Sequence, residues 1–303
     1  MKSAIVADKS NAALLGALLV FTGAVCFSAK AVMVKLAYRY GIDASAMLGL
    51  RMLFSLPFFL GFAWYSSRKA GAQLSPKDLR LLLAMGVLGY YLASLFDFMG
   101  LQYITAGMER LILFIYPTLV VLLSALVLRK PIKRIQVWAL VITYGGIGLA
   151  VSDNAILEGN QDFALGAGLI FLSALTYAIY LIGSGELIPR LGTVRFTAYA
   201  MVIACVAVLI HTWIAKGTII GDYPREVYVL GILMATASTV LPTFLYSEGV
   251  RLVGASNAAI VGSIGPVSTI VLAYFFLGEE INLMEVLGTI LVIGGVLLIS
   301  LKK

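Results

Sequence analysis

Cysteine and histidine are scarce in this chain: 303 residues contain two Cys and one His. Cys26 and Cys205 both lie in apolar stretches, with no CxxC spacing and no histidine beside them. That excludes a disulfide framework and a cysteine-based metal site. His211 alone cannot assemble a zinc site. Charge is also thin, with 12% of residues charged, about half the ~25% of a soluble domain. There is no GxxxxGK[ST] phosphate loop, so any work done against a gradient must draw on another gradient. HExxH and GxSxG are missing too, which leaves an integral-membrane enzyme without a catalytic constellation. A channel would want a filter-like ring motif, and none is found. No metal site and no cofactor is expected.

What the chain has in abundance is apolar surface. Hydrophobic residues make up 61% of it, and the mean hydropathy is +1.00. A soluble globule of this size cannot hide so much. Spanning the hydrocarbon takes roughly 20 apolar residues per helix. Ten such runs are read, at 13–38, 44–66, 80–102, 105–128, 136–152, 164–187, 195–215, 227–249, 255–277 and 284–301. In lipid a backbone must satisfy its own hydrogen bonds, so each run is expected to be helical. The first run follows Lys2 and Lys9, as a signal peptide would. It is too long for a signal core and shows no convincing cleavage site, so it is kept as a helix.

Lysine and arginine then set an orientation. Outside the spans, all basic residues except Arg39, Lys216 and Arg225 fall on the side that carries both termini. The positive-inside rule places that side in the cytoplasm, together with the 67–79 and 129–135 loops. The acidic stretch 153–163, with Asp153, Glu158 and Asp162, faces outward. The net charge of +7 is thus explained by an anionic leaflet of the lipid bilayer, and no nucleic acid partner is called for. Trp64, Trp138 and Trp213 fall near span ends, where an indole suits the interface. The expected location is the bacterial inner membrane.

An internal repeat is visible. LGALLVFTGA at 15–24 resembles LGAGLIFLSA at 165–174. Gly100, Pro117, Gly145 and Gly146 are matched at a constant offset by Gly249, Pro266, Gly294 and Gly295. Each half holds five spans, an odd number, so the second half enters the membrane from the opposite side. The expectation is an all-α polytopic membrane protein of ten transmembrane helices in two inverted five-helix repeats. The repeats cover 1–153 and 164–303, with an external loop at 154–163. Inverted repeats are a common design of secondary transporters.

These residues resemble a known family. VKLAYRYGIDASAMLGLRMLF (34–54), GLQYITAGMERLILFIYPTLVVLLSALVL (100–128) and GVRLVGASNAAIVGSIGPVSTIVLAYFFLGEE (249–280) are similar to the EamA-type branch of the drug/metabolite transporter superfamily. Lys35 and Arg51 match the Lys and Arg typical of its first two helices, and Glu279 the Glu that commonly ends its ninth. The resemblance implies export of small organic solutes by alternating access. One departure stands out: Arg129-Lys130 occupies a place where many relatives have Gly-Glu.

Six ionisable residues sit well inside spans: Lys30, Lys35, Arg51, Asp97, Glu109 and Arg110. Such groups are costly in a membrane and default to functional hypotheses. All six are in the first half. Lys35 is near a helix end and can snorkel. Arg51 can pair with Asp97 or Glu109 and simply tie helices together. Glu109 and Arg110 diverge by about 100° on a helix and cannot share one cavity. Asp97 or Glu109 is the candidate proton-linked group; Lys30 and Arg110 are candidate anchors for a substrate carboxylate. Polar stripes at helical spacing add a cavity wall: Tyr90, Ser94 and Asp97; Ser173, Tyr177, Tyr180 and Ser184; Thr236, Thr239, Thr243 and Tyr246; Glu109 and Tyr116. The alternative for each is interhelical hydrogen bonding. Pro117 and Pro266, repeat mates near mid-span, are candidate hinges, or static kinks. The leading expectation is a secondary transporter of small organic metabolites such as amino acids, with a carboxylate-bearing substrate and proton coupling. A flippase for a lipid-linked headgroup is the alternative within transport.

Overall fold

The computed structural model describes residues 2–69, 74–129, 131–158 and 161–301, with side chains left undescribed at 2–13, 69, 128, 152–158, 161, 255, 256, 259 and 299–301. Among the described residues every regular element is helical. The elements are α1 (Lys2–Tyr38), α2 (Ala44–Lys69), α3 (Pro76–Gly100), α4 (Ala106–Leu113 and Tyr116–Leu128), α5 (Arg134–Glu158) and α6 (Gln161–Leu191). They continue as α7 (Thr193–Lys216), α8 (Arg225–Val253), α9 (Ala255–Gly262 and Ile264–Leu277) and α10 (Leu283–Leu301). Nine of them, among the described residues, are long and apolar enough to cross a membrane. The apolar stretch of α10, Leu283–Leu298, is shorter.

The outward side chains explain the composition. Leu14, Phe21, Leu126, Val141, Ile214, Phe275 and Ile290 are exposed, a pattern that makes sense only with lipid as solvent. Trp64, Trp138 and Trp213 are exposed as well, free to lie at the headgroup level.

Helix boundaries differ from the sequence reading at two places. The backbone of α1 is helical from Lys2, well before the expected span. The stretch read as a loop from 154 to 163 carries the last turns of α5 and the first of α6. Gly159 and Asn160, between them, lie outside the described residues, as do Lys130, Lys302 and Lys303.

Local chemistry fixes the ends. Ser75 caps α3 by accepting the Asp78 amide at 3.1 Å, with Pro76 at the first helical position; a proline there loses no bond. Thr105 caps α4 by accepting the Met108 amide at 3.2 Å. At the end of α4, Arg129 is held at φ 53°, the left-handed region. Gly278 ends α9 in the same way at φ 73°. Arg129 therefore fills a glycine-type cap with a side chain.

Small residues let the helices close up in pairs. α1 meets α8 where a Cβ on Gly16 would lie 2.6 Å from Val253 and one on Gly249 would lie 2.8 Å from the Gly16 carbonyl. α6 meets α3 likewise: a Cβ on Gly166 would lie 2.7 Å from Tyr103, and one on Gly100 3.0 Å from the Gly166 carbonyl. Gly16 and Gly166, and Gly249 and Gly100, are mates in the sequence repeat. α5 packs on α10 through Gly146 and Gly288, whose carbonyl would stand 2.7 Å from a Cβ on Gly146. Without water to drive association, such close van der Waals packing is what holds membrane helices together.

Candidate functional site

Two pairs of helices lose regularity in their middle portions. α4 is interrupted at Phe114 and Ile115, and Pro117 enters its second segment within the first two positions. α9 is interrupted at Ser263, with Pro266 in the first turn that follows. A proline without an N–H is tolerated at such a start and not in a helix interior. α3 and α8 carry π-helical turns at Val87–Leu92 and Thr236–Val240. These too are repeat mates. A π turn adds a residue to the circuit and re-aims side chains, and it is frequent at functional sites. The proline pairing was legible in the sequence; the π turns gave no signal there.

The four irregular helices, with α1, α2, α6 and α7, enclose a cavity of about 380 Å³. That lies within the roughly 300–1,000 Å³ of small-molecule sites. Of the residues singled out above, Lys30, Tyr90, Ser94, Asp97, Arg110, Tyr116, Tyr177, Thr239 and Tyr246 line it. Arg51, Ser173 and Thr243 line it as well, whereas Tyr180, Glu109, Lys35, Ser184 and Thr236 do not. Tyr180 stands behind the wall, buried, and donates its hydroxyl to Tyr90 at 3.0 Å; Gly89 leaves the space into which its ring packs. Glu109 is fully buried behind Lys30. Pro117 and Pro266 also lie outside the lining.

Lys30 Nζ lies 2.6 Å from Asp97 Oδ2 and 3.4 Å from Glu109 Oε1. The ammonium expected as a free anchor is thus held by two carboxylates. Asp97 Oδ1 and Glu109 Oε2 are buried without a hydrogen-bond partner among the described residues. Arg51 does not pair with either acid. Its Nε donates to Thr239 Oγ1 at 3.0 Å, its guanidinium sits 5.5 Å from the centre of the Phe98 ring, and Nη1 is buried without a partner among the described residues. Arg51 is 7% exposed and lines the cavity. Sequence reasoning treated it as a tie between helices; only the fold shows its unoccupied donor. Arg110 turns away from Glu109, as adjacent helical residues must. It donates to the Phe27 carbonyl at 2.8 Å and to Thr269 Oγ1 at 3.2 Å.

The rest of the wall is aromatic and hydroxylic. Tyr116 meets Tyr177 edge to face, with ring centres 5.2 Å apart, and Phe27 approaches Tyr246 at 6.4 Å. Ser28 donates to the Gly265 carbonyl at 2.9 Å, satisfying backbone freed by the break in α9. Gly262 lies beneath the Tyr246 ring, with no room for a Cβ. Thr197, Thr243 and Ser247 extend the wall into a second, smaller crevice bounded by Phe59, Val194 and Phe244. Ser247 is exposed and marks the mouth.

The opposite end is closed. Tyr38 donates to the Phe98 carbonyl at 2.6 Å, Arg39 to the Leu277 carbonyl at 2.5 Å, and Lys216 pairs with Asp43 at 2.7 Å. Glu279 accepts the Ala106 amide through both oxygens at 3.1 Å and stands 4.0 Å from Lys35. Glu285 packs against Gly107 in the same region. Lys35 therefore finds a carboxylate from the second half of the chain. His211, the lone histidine, bonds the Tyr91 hydroxyl at 2.9 Å. Among the described residues no cluster could hold a metal ion.

Comparison with known proteins agrees with this architecture. The EamA-like transporter family matches the chain twice, at residues 14–152 and 164–301. The uncharacterized transporter YcbK of Bacillus subtilis is 34% identical over 287 residues, 93% of this chain and 91% of its own. The uncharacterized inner membrane transporter YicL of Salmonella typhimurium is 25% identical, with 84% of each chain covered. A solved crystal structure superposes with a TM-score of 0.63 at 16% identity, covering 96% of this chain and 97% of that one, which bears on the fold alone. With a double family match over nearly all its length and relatives named as transporters rather than enzymes, the chain belongs to the EamA-like transporter family and is a multi-pass membrane transporter.

Proposed function

We propose that this protein is a secondary transporter that exports small organic metabolites, such as amino acids, across the bacterial inner membrane by alternating access. Its ten helices form two inverted five-helix repeats, 1–153 and 164–303, joined through 154–163, with both termini in the cytoplasm. The observation that carries this reading is the central cavity flanked by α4 and α9, broken at matching prolines in the two halves. Interrupted helices at corresponding positions are where transporters of this kind hold their cargo. The glycine contacts of α1 with α8 and of α6 with α3 recur in the same registers, as an internal two-fold axis requires.

Direction is supported by which end is open. The mouth at Ser247 lies on the side that the positive-inside rule assigns to the cytoplasm, and the Glu279 end is shut. Cargo loaded from inside would then leave when the halves rock. Arg51 and Arg110, the lining cations that pair with no carboxylate among the described residues, are the anchors for a substrate carboxylate. Tyr90, Tyr116, Tyr177 and Tyr246 receive the organic portion. The Lys30, Asp97 and Glu109 cluster couples transport to protons.

The test is counterflow in proteoliposomes loaded with a mixture of amino acids and metabolites. A carrier shows labelled uptake stimulated by unlabelled solute on the far side. A pore or an enzyme gives no such stimulation, and that result would end this reading.

A further inference from the structure

The buried cluster behind the cavity contains one cation and two acids. Lys30 of α1 meets Asp97 of α3 at 2.6 Å and Glu109 of α4 at 3.4 Å. Asp97 is 2% exposed and Glu109 0%. The two carboxyl groups share the one Lys30 ammonium, and each keeps one buried oxygen without a donor among the described residues. Two carboxylates sharing a buried site do not both ionise beside a single ammonium. A proton between them removes the surplus negative charge and gives an orphaned oxygen its donor.

We propose that Glu109 carries this proton and gives it up when a cationic group in the cavity engages Asp97. This rests on the transport reading above and fixes how the same site is driven. Asp97 takes the shorter bond to Lys30 and lines the cavity, so it is the standing counter-ion. Glu109 has the longer contact and no cavity surface, so it is the acid left to hold the proton. When a ligand ammonium pairs with Asp97, Lys30 turns fully to Glu109. The Glu109 O–H bond breaks, its electron pair stays on the carboxylate, and the proton leaves past Lys30 and Asp97, the cluster members that line the cavity, to water at its mouth. The empty site holds Lys30⁺, Asp97⁻ and neutral Glu109. The loaded site holds Lys30⁺, Glu109⁻, Asp97⁻ and the ligand cation. Both are neutral, so neither state buries an unpaired charge. The consequence is exchange of a proton for an amine-bearing solute.

Two guanidinium groups act on the acids through space, Arg110 on both and Arg51 of α2 on Asp97, but neither hydrogen-bonds a carboxylate of the cluster among the described residues, and Arg51 is held by Thr239. Arg110 is the neighbour of Glu109 on α4, but its guanidinium is turned to Phe27 and Thr269. Glu285 of α10 and Glu279 beyond α9 are held at the first turn of α4, against Gly107 and the Ala106 amide. The helix α6 packs against this segment, but its tyrosines Tyr177 and Tyr180 face Tyr116 and Tyr90; the tyrosine near Asp97 is Tyr38 of α1, whose hydroxyl donates to the Phe98 carbonyl.

The experiment is infrared difference spectroscopy of the purified full chain in liposomes, titrated from neutral to alkaline pH. A protonated-carboxyl stretch is expected at neutral pH. It is lost in Glu109→Gln, kept in Glu285→Gln, and shifted to higher pH in Lys30→Met, where no ammonium favours ionisation. Addition of propylammonium chloride at neutral pH should erase the band and acidify a weakly buffered suspension, while sodium propionate should do neither. A band untouched by Glu109→Gln, or no proton release with propylammonium, overturns the proposal. Counterflow needs no proton, so the transport reading stands or falls separately.

Discussion

Glu279 grips the Ala106 amide through both carboxylate oxygens at 3.1 Å, and so ties the end of α9 to the first turn of α4. The contact joins a second-half residue to a first-half helix N-terminus, where a carboxylate is favoured. It closes the end of the molecule opposite the cavity mouth. Removing its charge should loosen that end. A charge-assisted bond worth about 1.5 kcal/mol corresponds to roughly a tenfold change in the closed-to-open ratio. Spin labels at Gln102 and Glu280, in a background with Cys26→Ser and Cys205→Ser, should report a longer distance population in Glu279→Gln. An unchanged distance distribution would mean that the contact is not a latch.

The glycine contacts between helix pairs predict a stability pattern. Gly166→Ala puts a Cβ within 2.7 Å of Tyr103 and Ile104, and overpacking of this kind costs about 1–3 kcal/mol. Gly61→Ala meets nothing within 4 Å among the described residues and should be neutral or slightly stabilising. Thermal unfolding in detergent, followed by size-exclusion chromatography, separates the two. Equal melting temperatures would remove the packing argument.

Arg129 sits at φ 53° in a cap that glycine favours. A left-handed residue with a Cβ carries about 1 kcal/mol of strain. Arg129→Gly should therefore raise the melting temperature with little effect on transport, since the position lies at the far end of α4 from the cavity. A lower melting temperature would show that the side chain stabilises that end by more than the strain.

Pro117 and Pro266 each lie in the first turn of the second segment of a broken helix. If the breaks act as hinges, Pro117→Ala or Pro266→Ala lets the helix become continuous and favours one conformation over the other. Exchange should slow severalfold while equilibrium binding stays near wild type. Wild-type exchange rates in both variants would reduce the prolines to static kinks.

Arg51 offers a buried donor to whatever enters the cavity. Loss of a charge-assisted bond to a substrate carboxylate costs about 1.5–3 kcal/mol, roughly 10- to 100-fold in affinity. Arg51→Met and Arg110→Met should weaken transport of an amino acid and leave its amide nearly unaffected. Acid and amide transported alike by the wild type would exclude a carboxylate anchor.

The sequence alone determined the solvent, the class and much of the pattern. Apolar runs of membrane length leave no other home for this chain. The recurring prolines Pro117 and Pro266 fall at the helix breaks, because a proline's backbone effect is local; of the recurring glycines, Gly100, Gly249, Gly146 and Gly295 lie at close helix contacts and Gly145 and Gly294 meet nothing within 4 Å among the described residues. The same logic separated Glu109 from Arg110, since helical geometry fixes the angle between neighbours. Partnerships were a different matter. Whether Lys30 or Arg51 would meet Asp97 depended on how three helices cross, and spacing within one helix carries no record of that. Tyr180 shares a face with Tyr177, yet it lies behind the wall because Gly89 of α3 admits its ring. The π turns of α3 and α8 gave no residue signal, because an extra residue per turn is imposed by packing against neighbours. Lys35 met a carboxylate from beyond α9, a contact between residues 244 positions apart. Only the tertiary structure brings such groups together, because pairing energy depends on distance through space and the sequence records distance along the chain.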